Sequence, residues 1–167
     1  MTDVTIRTAT PDDAPAIHAL IGRHQREGHL LPRELSEVAR RASRFVVATT
    51  ADRVIACAEL APLSPAVAEV RSLVVAPDVR RVGLAARLVG ELHLRADEAG
   101  FESLCAFTHD ARLFLRHNFS VVPHAWLPEK ITADCVSCPL LGRCGQQAMI
   151  LPLRATSRAA AARRAVA

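Results

Sequence analysis

Apolar and polar positions change period several times along this chain. They alternate from Val4 to Thr8, which predicts a first strand. Ala14, Ile17, Leu20 and Ile21 then recur at helical spacing and define one apolar face. Thr10 caps that helix, Pro11 is its first residue, and Asp12 and Asp13 lie in its first turn, where the helix dipole favours negative charge. Gly28 ends it, and His29-Leu30-Leu31-Pro32-Arg33 forms a loop into a second helix, Glu34 to Ala42. Phe45 to Thr50 and Val54 to Leu60 read as paired strands joined through Ala51-Asp52-Arg53.

Leu63-Ser64-Pro65 leads into the strand Val70-Arg71-Ser72-Leu73-Val74-Val75, which a Pro77-Asp78 breaker closes. A basic, Gly-containing turn then opens a long amphipathic helix that runs to Ala99, with Gly100 as its stop. Beyond it come a strand from Ser103 to Thr108, a short helix from Ala111 to His117, and strands at Phe119 to Val122 and Ala148 to Leu153. Strands and helices alternate, with hairpins at both ends. The expectation is one α/β domain over residues 1–153, built on a mixed, mostly antiparallel sheet of about six or seven strands flanked by helices.

Composition sets outer limits. Half of the 167 residues are apolar, enough for a core and too many for a disordered chain. No uncharged apolar run approaches the ~20 residues that span a bilayer. Met1-Thr2-Asp3-Val4-Thr5 lacks the features of a signal peptide, so a cytoplasmic protein is expected. The net charge of +4 belongs to the end of the chain, where Arg154, Arg158, Arg163 and Arg164 occur without an acid. Removing those four from the 21 Lys and Arg leaves 17, against 17 Asp and Glu. Residues 154–167 therefore read as a low-complexity, flexible tail on a neutral body, and nucleic-acid binding is a poor primary function.

The turn after the central strand carries chemistry. Backbone N–H groups at a helix start have no partner within the helix, and the dipole there favours an anion. Gly83 and the small Ala85 and Ala86 let a bulky anion approach, with Arg80 and Arg81 beside it: a phosphate cradle outside the usual nucleotide fingerprints. Arg80-x-x-Gly83-x-Ala85 resembles the acetyl-CoA pyrophosphate loop of the GNAT acyltransferases. Leu30-Leu31-Pro32-Arg33, Ala68 to Val75, and Leu127-Pro128-Glu129-Lys130 with Cys135-x-x-Cys138-Pro139 and Cys144 follow in one order. That order is similar to the short, stand-alone amino-acid N-acetyltransferases related to N-acetylglutamate synthase, over roughly residues 3 to 153.

The resemblance implies acetyl-CoA as cosubstrate and direct attack of an amine on its thioester. It places Arg80, Arg81, Val82, Gly83, Leu84, Ala85 and Ala86 at the pyrophosphate, and the backbone of Leu73, Val74 and Val75 against the pantetheine arm. A backbone N–H freed where that strand bulges would stabilise the developing oxyanion. Phe114 matches the position where many GNAT enzymes place a tyrosine near the leaving sulfur; this chain has no tyrosine. A thiol of pKa ~8.5 can leave with little acid assistance. Glu69 is the first choice for proton removal because it lies on the cofactor-binding strand, with Glu59 and His109 as alternatives, acting directly or through a water. An acceptor carboxylate would be held by Arg33 and then Arg71, since a guanidinium offers a planar bidentate fork; Leu31, Ser72 and Thr108 complete the substrate side. Ala61 and His109 stand where some synthases carry basic residues, which leaves the acceptor's side chain open.

Cys57 and Cys105 lie in apolar strand segments and read as core. Within residues 124–147, Cys135-x-x-Cys138-x5-Cys144 has metal-ligand spacing in its first pair. It is open to structural zinc with His124 as fourth ligand, to a disulfide or redox switch, or to unligated thiols. Three functions follow: acetylation of the α-amine of a small amino acid, with L-glutamate and hence arginine biosynthesis first; acetylation of a polyamine, a drug or a protein N-terminus; or a non-catalytic acetyl-CoA sensor. The expected partner is a small-molecule amine, with no membrane and a homodimer as in many GNAT relatives.

Overall fold

The computed structural model describes residues 3–26, 32–51, 53–79 and 83–153. The expected stop at Gly28, the loop residues His29 to Leu31, Asp52, the Arg80 to Val82 turn and the 154–167 tail lie outside them. Among the described residues there are seven strands: β1 (Thr5–Thr8), β2 (Phe45–Thr50), β3 (Arg53–Pro62), β4 (Val67–Val75), β5 (Ser103–Thr108), β6 (Ser120–Val122) and β7 (Gln147–Pro152). They form one sheet in the order β1-β2-β3-β4-β5-β7-β6. The helices are α1 (Ala14–Arg26), α2 (Leu35–Arg40), α3 (Leu84–Glu98), α4 (Arg112–Arg116) and the single turn α5 (Pro128–Lys130). By compactness the chain divides into Met1–Leu60 with Val70–Leu92, and Ala61–Glu69 with His93–Ala167.

In the first unit, β2 pairs antiparallel with β1 on one side and β3 on the other. The β2–β3 register opposes Phe45 to Glu59 and Val47 to Cys57, then slips at Ala48/Thr49. The start of α1 differs from a simple Thr10 cap. Pro11–Asp13 is a 3-10 turn, and the Asp13 carboxylate accepts the Thr10 backbone N–H at 2.8 Å and both terminal guanidinium nitrogens of Arg7 at 2.7 and 2.8 Å. The bidentate Arg7 donors, with the Thr10 N–H, hold the Asp13 carboxyl down at about 2. Ile17, Leu20 and Ile21 of α1 and Val38 of α2 are buried in one cluster with Phe45, Val47, Cys57 and Val74. Each such side chain contributes roughly 1.5–3 kcal/mol when fully buried, so the apolar stripe of α1 fixes the helix on the strands.

In the second unit, β7 pairs antiparallel with β5 from Ser103↔Pro152 to Thr108↔Gln147, and with β6 on its other side. Val67, Cys105, Val122, Leu127 and Ala148 form its buried cluster. Between β6 and β7 the chain winds through α5, a wide turn at Ile131–Cys135 and further tight turns. No helix among the described residues is long and apolar enough to cross a membrane.

Candidate active site

Glu59 is the most unusual side chain of the first unit. It sits on β3 opposite Phe45, is only 2% exposed, and its Oε1 finds no hydrogen-bond partner among the described residues. Burial pushes its carboxyl above the ordinary glutamate range, against the opposing fields of Arg71, Arg33, Arg41 and Arg44 in falling order. Arg33, half-buried just ahead of α2, carries a buried Nε that is likewise unpartnered among the described residues. The result is a desolvated carboxylate among guanidinium groups, with polar atoms on both sides unsatisfied. Unsatisfied buried polar atoms cost about 1–3 kcal/mol each, and the first unit carries these two among its described residues.

Arg71 and Ser72 follow on β4. Ser72 is 6% exposed and holds φ at +51°, a left-handed conformation that L residues other than Gly rarely adopt inside a strand. Its carbonyl accepts the Cys57 thiol at 3.6 Å, and burial pushes that thiol up to about 12, so Cys57 is an inert core group. Such a residue disrupts the regular ladder and re-aims the backbone that follows, which here is Leu73 to Val75. Val74 is buried, while Leu73 and Val75 are half-exposed. Downstream, Gly83 holds φ at +77° and its carbonyl accepts the Arg87 N–H at 3.1 Å, which makes it the residue from which α3 springs. Leu84, Ala85 and Ala86 form the first turn, where N–H groups lack intrahelical acceptors. Among the described residues, its chain neighbours aside, no heavy atom lies within 4 Å of a Cβ built on Gly83.

The second unit holds Glu69 differently. Lys130, only 7% exposed, donates to Glu69 Oε1 at 2.7 Å and Oε2 at 3.0 Å, and to Asp134 Oδ2 at 2.7 Å. Its ammonium also lies 5.4 Å from the centroid of the Phe107 ring. Both glutamates are buried, but one is held by a cation and the other is not. Lys130 and Asp134 are not evident as a pair in sequence beyond their i,i+4 spacing, and their partner lies 61 positions away from Lys130.

The other expected site residues fall as follows. His109 is exposed, with its ring 3.7 Å from a Cβ built on Gly145. The Thr108 hydroxyl is engaged locally, donating to the Asp110 carbonyl at 3.0 Å and accepting the Asp110 N–H at 3.1 Å. Phe114 is buried and stacks edge-on against Phe119 at 5.2 Å. Among the described residues no three His, Cys, Asp or Glu side chains are grouped to hold a metal. Cys135, Cys138 and Cys144 are free thiols. His124 Nε2 lies 2.8 Å from the Gln146 carbonyl, which can only accept, so that nitrogen carries a proton and Nδ1 is left as the acceptor. Leu31, Arg80, Arg81 and Val82 lie outside the described residues.

Comparison with known proteins agrees with this architecture. Residues 41–121 match the model of the acetyltransferase (GNAT) domain. It is 29% identical over 151 residues to an uncharacterized N-acetyltransferase of Chlorobaculum tepidum, covering 90% of this chain and 97% of that protein. It is 32% identical over 126 residues to an amino-acid acetyltransferase of Ralstonia nicotianae, covering 74% of this chain and 28% of that longer protein. In fold it is similar to the N-acetylglutamate synthase of Neisseria gonorrhoeae complexed with coenzyme A and N-acetyl-glutamate, with a TM-score of 0.79 at 24% identity over 92% of this chain and 36% of the synthase.

Proposed function

We propose that this protein is an acetyl-CoA-dependent N-acetyltransferase that acetylates the α-amine of a small amino acid, L-glutamate first. The observation that carries the reading is Glu59, a buried carboxylate with an unpartnered oxygen in the field of four arginines. An acceptor amino acid brings an ammonium and a carboxylate: the first suits Glu59, the second suits Arg33 and Arg71. The Ralstonia amino-acid acetyltransferase and the coenzyme A complex of the Neisseria synthase support the same substrate class and cosubstrate. Use of acetyl-CoA fits a cytoplasmic enzyme at the start of arginine biosynthesis.

The chemistry assigns each group a task. Glu59 takes the proton of the acceptor's ammonium, a step that its raised pKa favours at neutral pH. Arg33 and Arg71 hold the α-carboxylate and orient the neutral amine for attack on the thioester carbonyl. The β4 backbone after Ser72 donates N–H groups to the oxyanion and to the pantetheine arm. Gly83 to Ala86, with Arg80, Arg81 and Val82, bind the pyrophosphate at the start of α3. Phe114 packs without an acidic proton, and the leaving thiolate departs unassisted. Glu69, chelated by Lys130, is a less suitable base than Glu59.

Thiol release from acetyl-CoA in the presence of L-glutamate, L-glutamine or spermidine tests the reading. Release with L-glutamate is expected, and Arg33→Ala should lower kcat/KM by roughly 10–100-fold, the worth of a charge-assisted hydrogen bond pair. Release with spermidine and with neither amino acid would contradict it, because a cationic acceptor calls for carboxylates where this chain has arginines.

A further inference from the structure

We propose that Cys135 and Cys138 are a dithiol site that exchanges with a small-molecule disulfide and closes into an intramolecular disulfide. The acetyltransferase reading gives these thiols no task. Spacing leaves three readings of Cys135-x-x-Cys138-x5-Cys144 open, and the backbone favours the disulfide. The Cys138 N–H donates to the Cys135 carbonyl at 3.0 Å, which makes residues 135–138 a closed turn. Such a turn holds its first and last Cα atoms within about 7 Å of each other, the range that a disulfide spans.

Neighbouring bonds pin the turn. The Val136 N–H donates to the Ile131 carbonyl at 3.1 Å, and the Ser137 hydroxyl to the Asp134 carbonyl at 3.5 Å. Asp134, immediately ahead of Cys135, accepts from buried Lys130 at 2.7 Å, and Lys130 ties the segment to Glu69 of β4. Pro139 follows Cys138 and restricts its backbone. Both thiols are free and half-buried, and Val136 between them is 69% exposed, so an exchange partner can approach from solvent. Cys144 stands beyond two more turns, closed by the Leu141 N–H on the Cys138 carbonyl at 3.1 Å and the Arg143 N–H on the Leu140 carbonyl at 2.8 Å. Its thiol is exposed and lies 3.8 Å from Gln146 Oε1. Exchange takes two steps. One protein thiolate attacks a sulfur of the small disulfide, forming a mixed disulfide and expelling one small thiolate. The second protein thiolate attacks the protein sulfur of that mixed disulfide, forming the Cys135–Cys138 bond and expelling the other small thiolate. The two protein thiols give up two protons and two electrons, and the small disulfide leaves as two thiols.

The full-length protein equilibrated over a range of reduced to oxidised glutathione, quenched with iodoacetamide and read by peptide mass spectrometry, tests the site. Cys135 and Cys138 should lose alkylation together in one two-electron transition, while Cys144 stays alkylated. Cys135→Ser should stop the exchange at a glutathione adduct on Cys138, and Cys138→Ser at an adduct on Cys135. Because the turn already holds the pair, oxidation should not lower Tm. Pairing of either residue with Cys144 would overturn the proposal. So would adducts that persist in the wild type without the internal bond, full alkylation at the most oxidising ratio, or a Tm lowered by oxidation. Every one of these readouts is independent of acetyl transfer, so failure here leaves the enzyme reading standing, and the reverse.

Discussion

Glu59 and Glu69 are two buried glutamates of one chain that differ in their partners. For Glu59, desolvation outweighs the four arginine fields and its folded pKa lies above the unfolded value near ~4.3. Between the two values the folded state binds the extra proton, so this residue's contribution to stability is present at low pH and lost as pH rises through the folded pKa. Glu59→Gln should therefore raise Tm at pH 8 relative to wild type and flatten its pH dependence, while lowering kcat by about 10²–10⁴-fold as expected for loss of a general base. A variant that loses stability at pH 8 would contradict the burial argument, and one that keeps full kcat would remove Glu59 from the mechanism. Glu69 behaves differently because Lys130 chelates it. Lys130→Met leaves a buried carboxylate uncompensated, at a cost of roughly 3–5 kcal/mol, and adding Glu69→Gln should return much of that loss. Chemical denaturation of the two variants measures it; a Lys130→Met protein as stable as wild type would mean that the triad is not a structural tie.

At the scale of elements, two backbone positions in left-handed conformation frame the stretch where the cosubstrate is proposed to bind. Ser72 interrupts β4, and Gly83 precedes α3. Gly83→Ala meets no atom within 4 Å, so its cost is conformational alone, about 1–2 kcal/mol. Thermal unfolding should register that loss, and coenzyme A affinity should fall with it because the alternative backbone would re-aim the first N–H groups of α3. Unchanged affinity at reduced stability would remove Gly83 from the proposed pyrophosphate site. The turn chemistry of Gly83 was legible in the sequence, because glycine is the residue such a position calls for. Ser72 was not, since nothing in Val70-Arg71-Ser72-Leu73 marks a serine for positive φ; only a bulge near Leu73 to Val75 was expected.

For the molecule as a whole, what could be read from sequence was local in origin. Alternation and helical spacing placed β5 at Ser103–Thr108 and β2 at Phe45–Thr50, and α3 between its basic turn and Gly100. Contacts between distant segments were not readable. Phe45 meets Glu59 only through the β2–β3 register, and Lys130 reaches Glu69 across 61 positions. The Cys135, Cys138 and Cys144 spacing left zinc, a disulfide and unligated thiols open, because spacing does not set side-chain direction; the described thiols are free and form no ligand group. The account's central claim is that the arginine-surrounded Glu59 receives L-glutamate for acetylation, and competition tests it most directly. The protein would be incubated with acetyl-CoA and an equimolar mixture of L-glutamate, L-glutamine, L-alanine and spermidine, and the acetylated products resolved by mass spectrometry. N-acetylglutamate should dominate, with its formation collapsing for Arg33→Ala. Predominant N-acetylspermidine, or equal acetylation of all three amino acids, would contradict the account.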